Sequence, residues 1–445
     1  MATNLNSPSD PPRTSVPEGA AKPTPRVLRR VVTASFVGNF VEWFDYAVYG
    51  YLATVIATVF FPESEPATAL LATFAVFAIS FIIRPIGGLV WGHFGDKIGR
   101  RAALSLSILI MSASTFCIGL IPGFDQIGYF APVLLLLVRI VQGFSAAGEY
   151  AGASAFLAEY APDRKRGLFT SVVPASTAAG LLFGSLVAAA LTGLLSTEQL
   201  NSWGWRLPFL FAAPMGLIGR YIRLKLEDTP KFQEMERGMK TNAPLSILFS
   251  HHRRAMLIAF GVTCLNAVGF YLILSYMPTY LSEVLNVGRT ASFVASSIAL
   301  TCYILFIFGM GALSDRYGRK RVLIAASIFF AVFTVPLFSA LGAVGLVGMV
   351  LIQIVLCAFL TMNDGTLPTF LSEIFPTQVR YSGFAFSFNT ANALFGGTAP
   401  FVATLLIEVT GSKLAPAWYL VAAALVAMGS MLMARETSRQ PLPDA

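Results

Sequence analysis

Six charged residues stand inside long apolar runs: Glu42, Asp45, Arg84, Arg139, Glu149 and Asp364. A charge in such surroundings is costly and persists where it pairs, faces a cavity or serves function. Glu42 and Asp45 are three residues apart, so they share a helix face, which Tyr46 and Tyr49 continue at four-residue steps. Counted from Arg30, Glu42 lies about 18 Å along a helix, near the middle of a bilayer. Carboxyls withdrawn from water there can take up and release a proton, which is what proton coupling requires; the competing reading is an ion pair that joins helices. Arg139 and Glu149 follow on one later run. Arg139 offers a fork of donors suited to a carboxylate, or a partner for Glu42, Asp45 or Glu149. The rings of Trp43, Tyr46 and Tyr271 suit a quaternary ammonium, and equally suit packing. Asn363 and Asp364 precede Gly365, where a helix can break, and their role stays open. Arg84, in the context RPIGG, fits structural pairing as well as solute contact.

The elements that must position these groups follow from composition. The 445 residues are 56% hydrophobic and 12% charged, with a mean hydropathy of +0.69. Soluble proteins carry about 25% charged residues. So low a charge density excludes a soluble enzyme, a secreted disulfide scaffold and a disordered chain. Apolar segments of bilayer-spanning length are expected near 31–60, 68–92, 102–121, 131–159, 168–194, 205–225, 255–281, 290–312, 321–341, 345–372, 381–408 and 415–434. They run without strand-like alternation, which predicts an all-α integral membrane protein of twelve transmembrane helices. The net charge of +8 does not point to nucleic acid, because its Lys and Arg cluster between the segments. Most of the 31 fall in the tails or after even-numbered segments, which places both termini in the cytoplasm. Residues 1–25 read as a disordered tail with no cleavable signal, and residues 436–445 as a short second tail. The polar stretch 226–254 reads as a cytoplasmic linker between six-helix halves, 26–225 and 255–435. The four cysteines sit in apolar runs without metal-ligand spacing, and His93, His251 and His252 lie in or beside loops. No P-loop, catalytic triad, metal constellation or cofactor motif is present, so neither an enzyme nor ATP-driven transport is expected.

The halves repeat. GHFGDKIGRR (Gly92 to Arg101) follows segment 2, and GALSDRYGRK (Gly311 to Lys320) follows segment 8. Glu159, Pro162 and Arg166 after segment 4 match Glu373, Pro376 and Arg380 after segment 10, at nearly the same offset. Parallel repeats with a site between them are a transporter design. Asp96 and Asp315 can accept from a helix end or an arginine of the neighbouring segment. Arg100 and Arg319 can reach Glu159 and Glu373. Such bonds would latch the cytoplasmic face; a pure topology signal is the competing reading.

The doubled G-x-x-x-D-[RK]-x-G-[RK]-[RK] loop and the RIVQG start of segment 4 resemble the major facilitator superfamily over residues 26–435. GNFVEWFDYAVYGYLA, FIIRPIGG, RIVQGFSAAGEYAGASAFLAEYAPDRKRG, WGWRLPF and YMPTYLS resemble its metabolite:proton symporter branch, the proline/glycine betaine type above all. GGTAP and SEIFPTQVR also resemble the carboxylate members. The resemblance implies a multi-pass cell-membrane symporter that moves a small carboxylate-bearing solute with protons. Proline or glycine betaine comes first, and a di- or tricarboxylate or similar acid (α-ketoglutarate, citrate, shikimate) is the alternative. Expected proton-coupling residues are Glu42, Asp45 and Glu149. Expected solute contacts are Arg139, Tyr46, Tyr49, Tyr271, Asn363 and Asp364. Expected gating residues are Asp96, Arg100, Glu159, Asp315, Arg319 and Glu373. Segment 5 lacks the proline-glycine pattern of family antiporters, and the long C-terminal coiled coil of some proline/betaine members is absent. A non-transporting membrane sensor is the reading from another class, and no sequence feature sets an oligomeric state.

Overall fold

Apolar sequence leaves backbone groups no partner but their own segment, and every element among the described residues is a helix. The computed structural model describes residues 24–62, 66–162, 164–225 and 244–443. The expectations for the first tail and for most of the 226–254 linker lie outside them. Ten stretches are long and apolar enough to cross a bilayer: Ala72–Ile98, Arg100–Leu120, Phe130–Tyr160, Arg166–Leu194, Arg253–Val284, Thr290–Tyr317, Arg319–Leu341, Leu346–Glu373, Arg380–Thr410 and Ala415–Met433. The pair Pro25–Tyr51 and Ala53–Phe60, bent by 67°, makes an eleventh if taken as one. These are segments 2–5, 7–12 and 1. Segment 6 is the 19-residue helix Arg206–Leu224, whose three arginines set it apart from the others in composition. Large apolar side chains such as Ile82, Leu194, Val347 and Phe401 face outward, as lipid contact requires.

Breaks in the helices follow proline and glycine. Pro368 has no N–H for the carbonyl of Asp364, so segment 10 stops at Asp364 and resumes as Leu367–Glu373. Segments 7 and 11 widen into π turns at Tyr271–Tyr276 and Asn392–Gly396, just ahead of Pro278 and Pro400. Segment 4 is interrupted between Ala146 and Glu149.

Packing repeats between the halves. Segment 2 lies on segment 11, and segment 8 on segment 5. The sequence repeat explains the closeness. A side chain at Gly92 would strike the Ser382 backbone, and one at Gly311 the Gly167 backbone. Gly99 and Gly318 turn the chain with φ of +106° and +103°, a conformation only glycine adopts without strain.

Candidate functional site

The charged residues of segments 1, 2, 4 and 6 meet in the interior as pairs. Burying an ionised group without a partner is prohibitive, so each acid is matched. Arg84 Nη2 donates to Glu42 Oε1 at 2.7 Å. Arg139 Nη1 lies 3.4 Å from Asp45 Oδ2. Gln142, one helical turn beyond Arg139, accepts from Arg139 Nη1 at 2.5 Å, donates to Asp45 and also reaches Thr115 at 2.7 Å. Glu149 is held by both terminal nitrogens of Arg223, which also donates to the carbonyl of Leu104 at 2.8 Å.

Arg223, near the end of segment 6, is not among the six charges singled out inside apolar runs. It is buried in the helix Arg206–Leu224, where Glu149 compensates its charge. Gln142 and Arg223 were both missed. Spacing offered a signal for Gln142, three residues from Arg139; nothing linked Arg223 to Glu149 across 74 residues.

Aromatic rings enclose these pairs. The Arg84 guanidinium lies 4.6 Å from the ring centres of Tyr46 and Phe81, and that of Arg139 3.5 Å from Tyr49. Cation–π attraction offsets part of the desolvation. Trp43 packs against Phe270 and Tyr271 at 5.2 and 6.4 Å, joining segment 1 to segment 7 across the halves. The expected residues Tyr46, Tyr49 and Tyr271 are thus assembled around the paired charges. The Tyr49 hydroxyl is spent on the Thr73 carbonyl at 3.1 Å. Several buried polar atoms have no hydrogen-bond partner among the described residues: Arg139 Nε and Nη2, Glu42 Oε2, Asp45 Oδ1, the Tyr46 hydroxyl and Trp43 Nε1.

The second half places one acid in its interior, at the break in segment 10. Asp364 accepts from the Tyr303 hydroxyl at 2.6 Å and from Asn266 Nδ2 at 2.8 Å. Beside it, both amide atoms of Asn363 and the hydroxyl of Thr366 are buried without a partner among the described residues. Tyr303 and Asn266 sit in segments 8 and 7 with no spacing signal to mark them.

At one end of the molecule the repeated loops form two equivalent clasps. Asp96 accepts from the backbone N–H of Tyr381 and Ser382 at 3.1 and 2.8 Å, at the start of segment 11. Asp315 accepts from the backbone N–H of Gly167 and Leu168 at 2.8 and 2.9 Å, at the start of segment 5. A carboxylate is favoured at a helix N-terminus, where unbonded N–H groups carry partial positive charge. Glu159 pairs with Arg100 of its own half and Arg380 of the other. Glu373 pairs with Arg319 of its own half at 3.3 Å and Arg166 of the other at 3.7 Å.

The C-terminal residues 436–443 close over this end. Glu436 accepts from the N–H groups of Arg319 and Lys320 at 2.9 and 3.1 Å. Partial burial pushes the Glu436 carboxyl up, but the backbone donors of Ser438, Arg319 and Lys320 outweigh it and hold it below the usual carboxylate range. Thr437 donates to Glu373 at 2.7 Å, and Arg166 donates to the Gln440 carbonyl at 2.8 Å. Pro443 O accepts from Thr377 N and Arg380 Nη2, both at 3.1 Å.

Residues 31–248 match the family described as Sugar (and other) transporter, and residues 259–444 the Major Facilitator Superfamily. The glycine betaine/proline/ectoine/pipecolic acid transporter OusA of Dickeya dadantii is 40% identical over 433 residues, 94% of this chain and 85% of that protein. The proline/betaine transporter of Escherichia coli K12 is 39% identical over the same shares. Among solved structures, the proton:xylose symporter XylE bound to 6-bromo-6-deoxy-D-glucose superposes with a TM-score of 0.78 at 18% identity, covering 94% of this chain and 98% of that one. The inward-open form of the xylose transporter XylE from E. coli gives 0.64 at 18% identity, over 93% and 98%.

Proposed function

The chain belongs to the major facilitator superfamily, and from that premise we propose a proton-coupled symporter of a small carboxylate-bearing solute, proline or glycine betaine first. It is a multi-pass membrane protein and a transporter, not an enzyme, as its relatives are. The bacterial inner membrane is its place on this reading, with the lipid bilayer and protons as its other partners. The clasp end then faces the cytoplasm together with both termini. Twelve spans, divided near 226–254 into 26–225 and 255–435, complete the architecture.

One observation carries the alternating-access mechanism: two equivalent clasps, each tying one half to the other through an aspartate at a helix N-terminus and a glutamate–arginine pair beside it. Bonds that are individually modest and few in number can be exchanged as the halves rock about a central site. Asp96, Arg100, Glu159, Asp315, Arg319 and Glu373 act as the gate. Glu42, Asp45 and Glu149 are the coupling acids. Each is already paired, so proton uptake at one frees its arginine, and the fork of Arg139 that has no partner takes the solute carboxylate. Tyr46, Tyr49 and Tyr271 form the aromatic wall, with Asn363 and Asp364 opposite.

The test is radiolabelled uptake into proteoliposomes from a panel of proline, glycine betaine, α-ketoglutarate, citrate and shikimate, under imposed proton or sodium gradients. Accumulation of proline or betaine that collapses with a protonophore is expected. Uptake driven by sodium alone would sink the proton assignment, and uptake of citrate or α-ketoglutarate in preference would replace the solute.

A further inference from the structure

The first half balances its interior charges and the second does not. Glu42, Asp45 and Glu149 each face an arginine. Asp364, fully buried, has two neutral donors, Tyr303 and Asn266, and no Lys, Arg or His pairs with it among the described residues. Two neutral donors leave a carboxylate in apolar surroundings poorly compensated.

A second observation lies at the same break in segment 10. The Asn363 amide and the Thr366 hydroxyl are buried, with no partner for any of their polar atoms among the described residues. Buried polar atoms are nearly always bonded, so three such atoms within four residues mark a place that a ligand completes. Across the interface, Tyr150 of segment 4 stacks on Phe388 of segment 11 at 4.4 Å, so the two halves are in contact at this level.

Resting on the proposed solute transport, we propose that Asp364 is the seat of the solute's positively charged nitrogen. The solute class is therefore zwitterionic, one ammonium and one carboxylate on a small frame, and a di- or tricarboxylate is excluded by charge. Asp364 supplies the counter-charge, and Asn363 and Thr366 bond the polar remainder or its water shell.

The experiment measures equilibrium binding to the full-length purified protein. The probes are glycine betaine, 3,3-dimethylbutanoate (the same shape with carbon in place of the charged nitrogen) and succinate. Wild type should bind betaine at least about tenfold more tightly than either other probe. Asp364→Asn keeps the shape and one acceptor, and should weaken betaine binding by about 30-fold or more while moving 3,3-dimethylbutanoate by less than about threefold. Asp364→Glu should retain part of the betaine preference. Equal wild-type affinity for betaine and its carbon isostere overturns the proposal without any variant. So does betaine binding in Asp364→Asn that matches wild type. Normal binding in that variant with loss of proton-driven accumulation would make Asp364 a proton carrier and overturn it as well. Wild type that neither binds nor takes up betaine or proline sinks the reading of the solute itself, a result distinct from these.

Discussion

At the clasp end Asp96 and Asp315 perform one task in opposite halves, each capping two backbone N–H groups of the half across from it. In the middle of the helices the same duplication holds nothing in common. There the first half carries three acid–arginine pairs, and the second one acid between a tyrosine and an asparagine. On the proposed mechanism the clasps stay alike because both halves would close the same gate. The interior is free to diverge, because on the proposed reading a solute with two different ends needs two different surfaces.

The largest effect should come from breaking a pair in the first half. Glu149→Gln leaves Arg223 buried without its counter-charge, at a cost of about 3–5 kcal/mol. Its thermal unfolding midpoint in detergent should drop, and the double variant Glu149→Met/Arg223→Met should recover most of the loss. An unchanged midpoint in the single variant would remove the contrast between the halves, since the pair would then contribute nothing.

Next is Arg139→Gln, which removes the cation beside Asp45 and the free edge offered to a carboxylate. Concentrative uptake should fall by about 30-fold or more, the scale of a lost charged contact, while the protein remains in the membrane. Normal uptake kinetics would return Arg139 to a purely structural role.

The clasps sharpen the comparison in the opposite sense, by predicting sameness. Asp96→Asn and Asp315→Asn each weaken charge-assisted bonds worth about 1.5–3 kcal/mol, enough to shift a two-state population roughly tenfold. Cysteine labelling from the clasp side should rise in both. Asp96 also accepts from the Ser382 hydroxyl at 2.7 Å, so its variant should be at least as open. Labelling that stays at the wild-type level in both, with transport intact, would reduce the loops to topology signals.

The smallest effect belongs to the tail. Glu436→Gln removes a partly exposed carboxylate cap, and should make residues 436–443 modestly more sensitive to protease without stopping transport. The Glu436 carboxyl is held below its ordinary range, so its contribution is present above that range and fades as pH falls through the lowered value. Protection of the tail should therefore be level from neutral pH down to about 5 and weaken only in stronger acid. Loss of protection already near neutral pH would show that another group holds the tail.

Much of this was legible in the chain. Apolar length wrote the helices, because lipid leaves the backbone no other partner. The doubled loop wrote the repeat, and its glycines and aspartates occupy the positions where the halves touch and cap each other. The acids and arginines inside the apolar runs identified themselves by their cost. What the chain did not mark were partners that only packing brings together. Arg223 carries no sign of Glu149, 74 residues away, and residues 436–445, read as a short tail, carry no sign of the N–H groups that Glu436 caps.

The sequence by itself determined the class of the fold, the duplication and the residues too costly to be there without purpose. These depend on composition, period and spacing, which are properties of a line. Only the tertiary structure decided who pairs with whom: Arg84 with Glu42, Arg223 with Glu149, Arg380 with Glu159, and Asp364 with no cation among the described residues. The physical reason is that an ion pair depends on distance in space, and these partners lie 42, 74 and 221 residues apart along the chain. Nothing local to either partner encodes the other; packing of the helices brings them together, and packing gives Asp364 two neutral donors and no cation among the described residues.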